Sequence, residues 1–325
     1  MTERINSTGP EEASSGASNA GTKNAARSTS LVRYIWRRFR RHRMAIAGMV
    51  GTFLILAFVV AGSLAIPESR AMFNDLDAQL LPPSLSHPFG TDNTGRDLMA
   101  RAIYGGQISL GIGLVAATLS MCVGLMIGVL AGFYGGWLDA VLMRVTEALL
   151  VIPRLFLLIL LAKILGGSVP TLVLFGRTLS PSVVVVVGVI GVTSWMTQAR
   201  IIRGVVLSLR ARDFIMAARC VGGGDRQIIF RHLLPNLIGP ITVAMTLAVA
   251  ESVLIEAYAS FLGLGVQAPT PSWGNMLDRA THYLELAPWM WLFPGLLIVV
   301  TVMSINFLGD GLRDSLDPQS RTKRG

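Results

Sequence analysis

The sequence is short of charge and nearly devoid of lysine. Only 14% of its 325 residues are charged, against about a quarter in an ordinary soluble chain. Lysine occurs three times (Lys23, Lys163, Lys323) and cysteine twice (Cys122, Cys220). Hydrophobic residues make up 52% of the chain, and mean hydropathy is +0.58. This combination excludes a soluble globular enzyme and a disordered chain. Three lysines among long apolar runs also exclude the basic patch of a nucleic-acid binder. The two cysteines form no CxxC, no Cys/His spacing and no disulfide framework, and they read as small thiols tolerated in apolar surroundings. None of the three lysines follows a glycine, so the chain lacks a G-x-x-x-x-G-K-[ST] phosphate loop and any visible means of hydrolysing a nucleotide. The four histidines (His42, His87, His232, His282) include no pair at ligand spacing, so no metal site is expected. No Ser/His/Asp order suggests a catalytic constellation.

What is present is a net charge of +9 on a hydrophobic chain. The two coexist only if basic and apolar residues are segregated. Six apolar runs stand out, over 45–66, 108–133, 138–165, 182–199, 237–258 and 288–308. The first holds 22 uncharged residues, enough at 1.5 Å each for a hydrocarbon core of ~30 Å, and it lies too deep in the chain for a signal peptide. The third carries Asp139, Arg144, Glu147, Arg154 and Lys163; the fifth carries Glu251 and Glu256. The Val183–Val187 stretch of the fourth belongs to a membrane helix by its length and company. Six transmembrane helices are therefore expected. Residues 1–30 read as a disordered tail, and 31–43 (LVRYIWRRFRRHR) either as a basic helix on an anionic membrane surface or as topogenic charge alone.

Charge placement sets the expected orientation. Nine basic residues fall in 1–44, seven in 200–236 and four in 310–325, which is 20 of the 28. The segments 67–104, 166–181 and 262–287 hold only Arg70, Arg96, Arg101, Arg177 and Arg279. The positive-inside rule then puts both termini and the 200–236 loop in the cytoplasm.

That loop has a regular construction. Asp213 to Val221 has a short amphipathic helix pattern, three glycines (Gly222, Gly223, Gly224) break it, Asp225 is placed to cap a second short helix, and Pro235 to end it. A helix–glycine–helix elbow between spans suits docking into a partner's groove, and Ala217 and Ala218 allow close approach.

The segment resembles the EAA loop of ABC-type import permeases, E-A-A-x3-G-x9-I-x-L-P. Ala217, Ala218, Gly222, Leu234 and Pro235 match at the right spacing, whereas Met216 stands in place of the usual Glu and His232 in place of the frequent Ile. Asp213, roughly one turn earlier, is positioned to supply the missing polar contact. Five further motifs are similar to the "C" subunit of the dipeptide/oligopeptide/nickel branch: HPFGTDNTGRD (87–97), GFYGGWLD (132–139), SFLGLGV (260–266), PTPSWG (269–274) and NFLGDGLRD (306–314). The resemblance covers about 45–320. It implies an all-α membrane protein with the type I ABC importer permease fold, six spans and both termini cytoplasmic. It implies a basic tail over 1–44, a first span and extracytoplasmic loop over 45–104, a permease core over 105–310 with its coupling loop at 211–236, and a cytoplasmic tail over 311–325. Implied partners are a homologous second permease, two ABC ATPases that bind ATP and Mg in place of this chain, an extracytoplasmic peptide-binding protein, and membrane lipid. The expected cargo is di- or oligopeptide; a nickel or other small-solute permease and, further off, a proton-coupled secondary carrier are the alternatives.

Within the membrane, Gly124, Gly128 and Gly132 form two overlapping G-x-x-x-G steps, suited either to close helix packing or to lining a path. Glu147, Arg154, Glu251 and Glu256 are costly in lipid and must face protein or water. They are the candidates for contact with the cargo, with helix clamping as the alternative. Arg144 and Glu147 are spaced to pair on one helix face, Pro153 to kink its helix, and Trp137, Trp289 and Trp291 to anchor at the membrane interface.

Overall fold

The computed structural model describes residues 33, 36–165, 172–174 and 177–316; the expected N-terminal tail lies outside them. The elements in chain order are α1 (Arg43–Ala65), α2 (Glu68–Met72), α3 (Leu98–Tyr134), α4 (Gly136–Val151), α5 (Arg154–Leu165), an antiparallel pair β1 (Leu172–Leu174) and β2 (Arg177–Leu179), α6 (Pro181–Arg210), α7 (Asp213–Cys220), α8 (Asp225–Gln227), α9 (Leu234–Phe261), α10 (Trp273–Ala280) and α11 (Trp289–Leu316).

Five helical stretches among the described residues are long and apolar enough to cross a membrane: α1, α3, α6, the continuous helix Asp225–Phe261, and α11. The expected sixth, over 138–165, is broken in two. Proline lacks an N–H and pushes the residue before it out of the helical region. Ile152, immediately before Pro153, accordingly sits at φ −73°, ψ 125°. The resulting α4 and α5, of 16 and 12 residues, reach about 24 and 18 Å, each short of the ~30 Å core.

The glycine stripe on α3 packs against α6. A Cβ at Gly124 would lie 2.5 Å from Gln198 Cβ, one at Gly128 2.6 Å from the Ala199 carbonyl, and one at Gly132 2.7 Å from Val206 Cγ1. Close packing is thus the stripe's role. α1 approaches α11 in the same manner, with Ser304 and Leu308 backbone against Gly48 and with Ala45 and Phe39 against Gly311.

The bundle has two distinct ends. At the basic end, His42 meets Asp314 at 3.2 Å, and Arg203 forks onto Asp139 through Nε and Nη2 at 2.5 and 2.6 Å. At the other end, the 87–97 motif folds as a clasp. Asp92 Oδ1 accepts the Thr94 and Arg96 N–H groups and the Thr94 hydroxyl at 2.7–2.9 Å. Asp97 caps α3 by accepting from Ala100 N–H at 2.9 Å, and its Oδ2 meets Arg70 and His87 Nδ1. Trp289, expected as an interfacial anchor, donates its indole N–H to the Thr91 carbonyl at 3.2 Å.

Candidate functional site: the elbow and the intramembrane charges

The elbow begins where α6 ends. Ile215 is the buried residue of α7, and it packs into a cluster with Val129 and Phe133 of α3, Ile202 and Val206 of α6, and Ile228, Leu233 and Leu237. Arg219 lies over the Phe133 ring, 5.4 Å from its centre. One face of α7 is therefore fixed to three membrane helices. Its other face, with Asp213, Met216 and Ala217, is exposed; Ala218 is half-buried beside the cluster.

Gly222 terminates α7 at φ +82°. The Gly223 N–H reaches the Ala218 carbonyl at 3.0 Å and the Gly222 N–H the Arg219 carbonyl at 2.9 Å. This is the Schellman arrangement, in which the left-handed residue is almost always glycine because a Cβ is disfavoured there.

The second half of the elbow departs from expectation at two residues. Asp225 lies within the first turn of α8; the cap is Gly224, with no side-chain cap bond. An acidic residue is still favourable there, against the positive end of the helix dipole. Pro235 does not end a helix. It stands directly after a π-helical turn at the start of α9, inside one continuous helix, and the wider turn is where the ladder adjusts to a residue without an N–H. The chain passes from α8 into α9 through a π-helical turn, Ile228–Leu233, in which the Leu234 N–H bonds the Ile229 carbonyl five residues back. His232 is half-buried in this turn, Leu234 half-buried, and Pro235 exposed. The elbow is thus a lever continuous with α9.

The four intramembrane candidates fall into three environments. Glu147 pairs with Arg144 at 3.6 Å, both exposed. Arg154 Nη1 donates to Glu251 Oε1, and its Nη2 reaches Thr197 Oγ1 at 3.4 Å, joining α5, α9 and α6. The two charged side chains are 31% and 41% exposed. Glu256 is fully enclosed. Ser260 donates to its Oε1 at 2.7 Å, while its Oε2 has no hydrogen-bond partner among the described residues; Ser109 and Ser272 stand beside the carboxyl. Each of those serines is itself held, accepting N–H bonds from Val266, Trp273 and Asn275 respectively. Glu256 therefore sits at a knot of α9, α3 and the start of α10, which the Trp273 N–H to Ser109 bond helps to close.

Sequence reasoning missed Thr197, Ser109, Ser272 and the Arg203–Asp139 fork. Thr197 and Ser109 are polar residues inside apolar runs, the one available signal, but their partners lie 43 to 164 residues away in the chain.

These features define a class: a multi-pass helical membrane protein with an exposed helical elbow and no ligand-enclosing soluble domain among the described residues. The chain belongs to the family of binding-protein-dependent transport system inner membrane components, whose model matches residues 124–322, and the N-terminal transmembrane domain of oligopeptide transport permease C matches residues 30–83. It is a multi-pass inner membrane protein. A Brucella suis biovar 1 protein named as a peptide permease is 42% identical over 87% of this chain and 89% of its own length. The oligopeptide transport system permease protein OppC of Bacillus subtilis is 36% identical over 94% and 96%, and the glutathione transport system permease protein GsiD of Pectobacterium atrosepticum 36% over 89% and 92%. The inward-facing MetNI methionine ABC transporter structure has a chain that shares the fold, with a TM-score of 0.53 and 20% identity over 68% of this chain and 98% of that one.

Proposed function

We propose that this chain is a permease subunit of an ATP-driven importer for di- or oligopeptides and forms half of the translocation pathway. The observation that carries this reading is the elbow: α7 is anchored to α3 and α6 through Ile215 and Arg219, with Asp213, Met216 and Ala217 turned outward. A surface so held transmits displacement to the membrane helices when a partner moves it. The partners are two ABC ATPases at the basic end, which bind and hydrolyse ATP with Mg, and a homologous second permease that completes the pathway. An extracytoplasmic binding protein delivers the peptide to the opposite end. The chain contributes no nucleotide site. Both termini and the elbow face the cytoplasm. Closure of the ATPases pushes the elbow, α9 moves with it through the π-helical turn, and the pathway opens alternately to either side.

The test is reconstitution of the chain with its co-purifying partners in liposomes. Peptide uptake should require ATP, both ATPases and the binding protein. Uphill transport by the chain alone, driven by a proton gradient, would refute the proposal.

A further inference from the structure

The break between α4 and α5 leaves irregular backbone at membrane depth. Ile152 lies 16 residues beyond the start of α4, about 24 Å along the helix from the basic end. Val151, Ile152 and Pro153 are exposed on the chain. Non-helical backbone at such depth is tolerated only when other protein covers it or when it lines water.

The next residue is Arg154, and its partner Glu251 stands at the same level. Glu251 is 17 residues beyond Leu234, about 26 Å from the basic end of α9. One and two turns further along the same face of α9 come Leu254 and Tyr258, both exposed. An ion pair facing lipid here would be expensive, and one enclosed in protein repays its desolvation only when further hydrogen bonds satisfy it. Glu256, five residues on, is by contrast enclosed, with no exposed surface and a hydrogen bond from Ser260. The Arg154–Glu251 pair differs in being left open.

We infer that Arg154 and Glu251 form an exchangeable site for the two termini of a linear peptide. This rests on the peptide-import reading above. In the empty permease the two side chains neutralise each other. A passing peptide inserts between them, its α-carboxylate taken by the planar fork of Arg154 and its α-ammonium by Glu251. A guanidinium suits this role because it binds a carboxylate through two parallel N–H bonds. Thr197, on α6, holds the second arm of the guanidinium in position while the first changes partner. One ion pair is exchanged for two similar ones, so the site passes cargo on without trapping it.

The experiment uses the complete transporter with its binding protein in ATP-loaded proteoliposomes, and trialanine, its C-terminal amide and its N-acetyl derivative as cargo. Each is supplied at a concentration that saturates the binding protein. The readout is the ratio of uptake rates between peptides within one preparation, which partial misfolding leaves unchanged. Arg154→Gln should slow free trialanine at least tenfold and the C-amide less than twofold. Glu251→Gln should slow free trialanine and the C-amide but spare the N-acetyl form, so it serves if the arginine variant does not assemble. The double exchange Arg154→Glu with Glu251→Arg should fail to restore wild-type uptake. Full restoration by the exchange, or equal slowing of all three peptides, would overturn the site in favour of a helix clamp. Should the unmutated transporter move none of the three although its binding protein holds them, the peptide-import reading itself fails.

Discussion

At the scale of single residues, backbone conformation and enclosure decide which positions tolerate change. Gly222 sits at φ +82° with nothing within 4 Å of where a Cβ would stand, so the constraint there is conformational and not steric. A β-branched residue forced into that region costs about 1–2 kcal/mol, enough to shift the end of α7. Gly222→Val should leave membrane insertion and ATPase binding intact while lowering peptide transported per ATP by about tenfold, the ratio that 1.4 kcal/mol represents. Parallel uptake and phosphate-release assays on reconstituted complexes check it; unchanged stoichiometry would remove the elbow from the coupling route. Met216 is the opposite case. Its side chain is exposed, and surface substitutions usually stay within about 0.5 kcal/mol, so Met216→Glu should preserve complex assembly and transport. A severe loss would mean that the ATPase surface facing it has become apolar. Glu256 is constrained by its enclosure and by its bond from Ser260. Glu256→Ala leaves the Ser260 hydroxyl without its acceptor in a buried site, at about 1–3 kcal/mol per unsatisfied group. Glu256→Gln keeps one acceptor. Thermal unfolding of the detergent-purified chain should rank wild type above Gln and Gln above Ala, and equal melting of the two variants would show the knot to be idle.

At the scale of elements, helix contact and helix interruption carry the argument. The α3–α6 interface depends on glycines that admit no Cβ, while Gly111 on the same helix has open space around it. Gly128→Ala should therefore destabilise by about 1–3 kcal/mol, as overpacking does, whereas Gly111→Ala should stabilise by up to about 1 kcal/mol through helix propensity alone. Opposite shifts in melting temperature would confirm that packing distinguishes the two; shifts of the same sign would not be consistent with this interface. The glycine spacing at 124, 128 and 132 was legible in the sequence because packing glycines recur at helical period. So was the elbow, because glycines after an amphipathic stretch signal a helix end whatever surrounds them. The fate of Pro235 was not legible. Proline marks the end of one helix and the start of the next equally well, and only the π-helical turn at Ile228–Leu233 shows that both halves join. The split of the 138–165 run was half legible: Pro153 predicts a kink, but a kink becomes a break only when Ile152 turns fully extended. The ion pair of Arg154 and Glu251 could not be read at all, since 97 residues separate its members.

At the scale of the whole molecule, the charge asymmetry that distinguishes the sequence becomes a testable orientation. Basic residues collect at the end of the bundle where Arg203 meets Asp139 and His42 meets Asp314. The 87–97 clasp and α10 lie at the other end, with Trp289 bonded to Thr91 and Trp273 Nε1 donating to the Ala102 carbonyl at 2.8 Å. Short loops rich in arginine resist transfer across the inner membrane, so the elbow end should face the cytoplasm. The chain carries a natural reporter of this, because Cys220 is exposed at the last residue of α7. The other thiol, Cys122, lies mid-way along α3 and is removed by Cys122→Ser. In vesicles stripped of their ATPases, a membrane-impermeant maleimide should label Cys220 in inside-out preparations and leave it unlabelled in right-side-out ones. Adding the ATPases back should then protect Cys220, because the face that carries Met216 and Ala217 lies one turn away on the same short helix. Labelling from the outside alone would invert the molecule, and with it the assignment of the elbow to the ATPases; labelling from the inside without protection would keep the orientation but move the docking surface off α7.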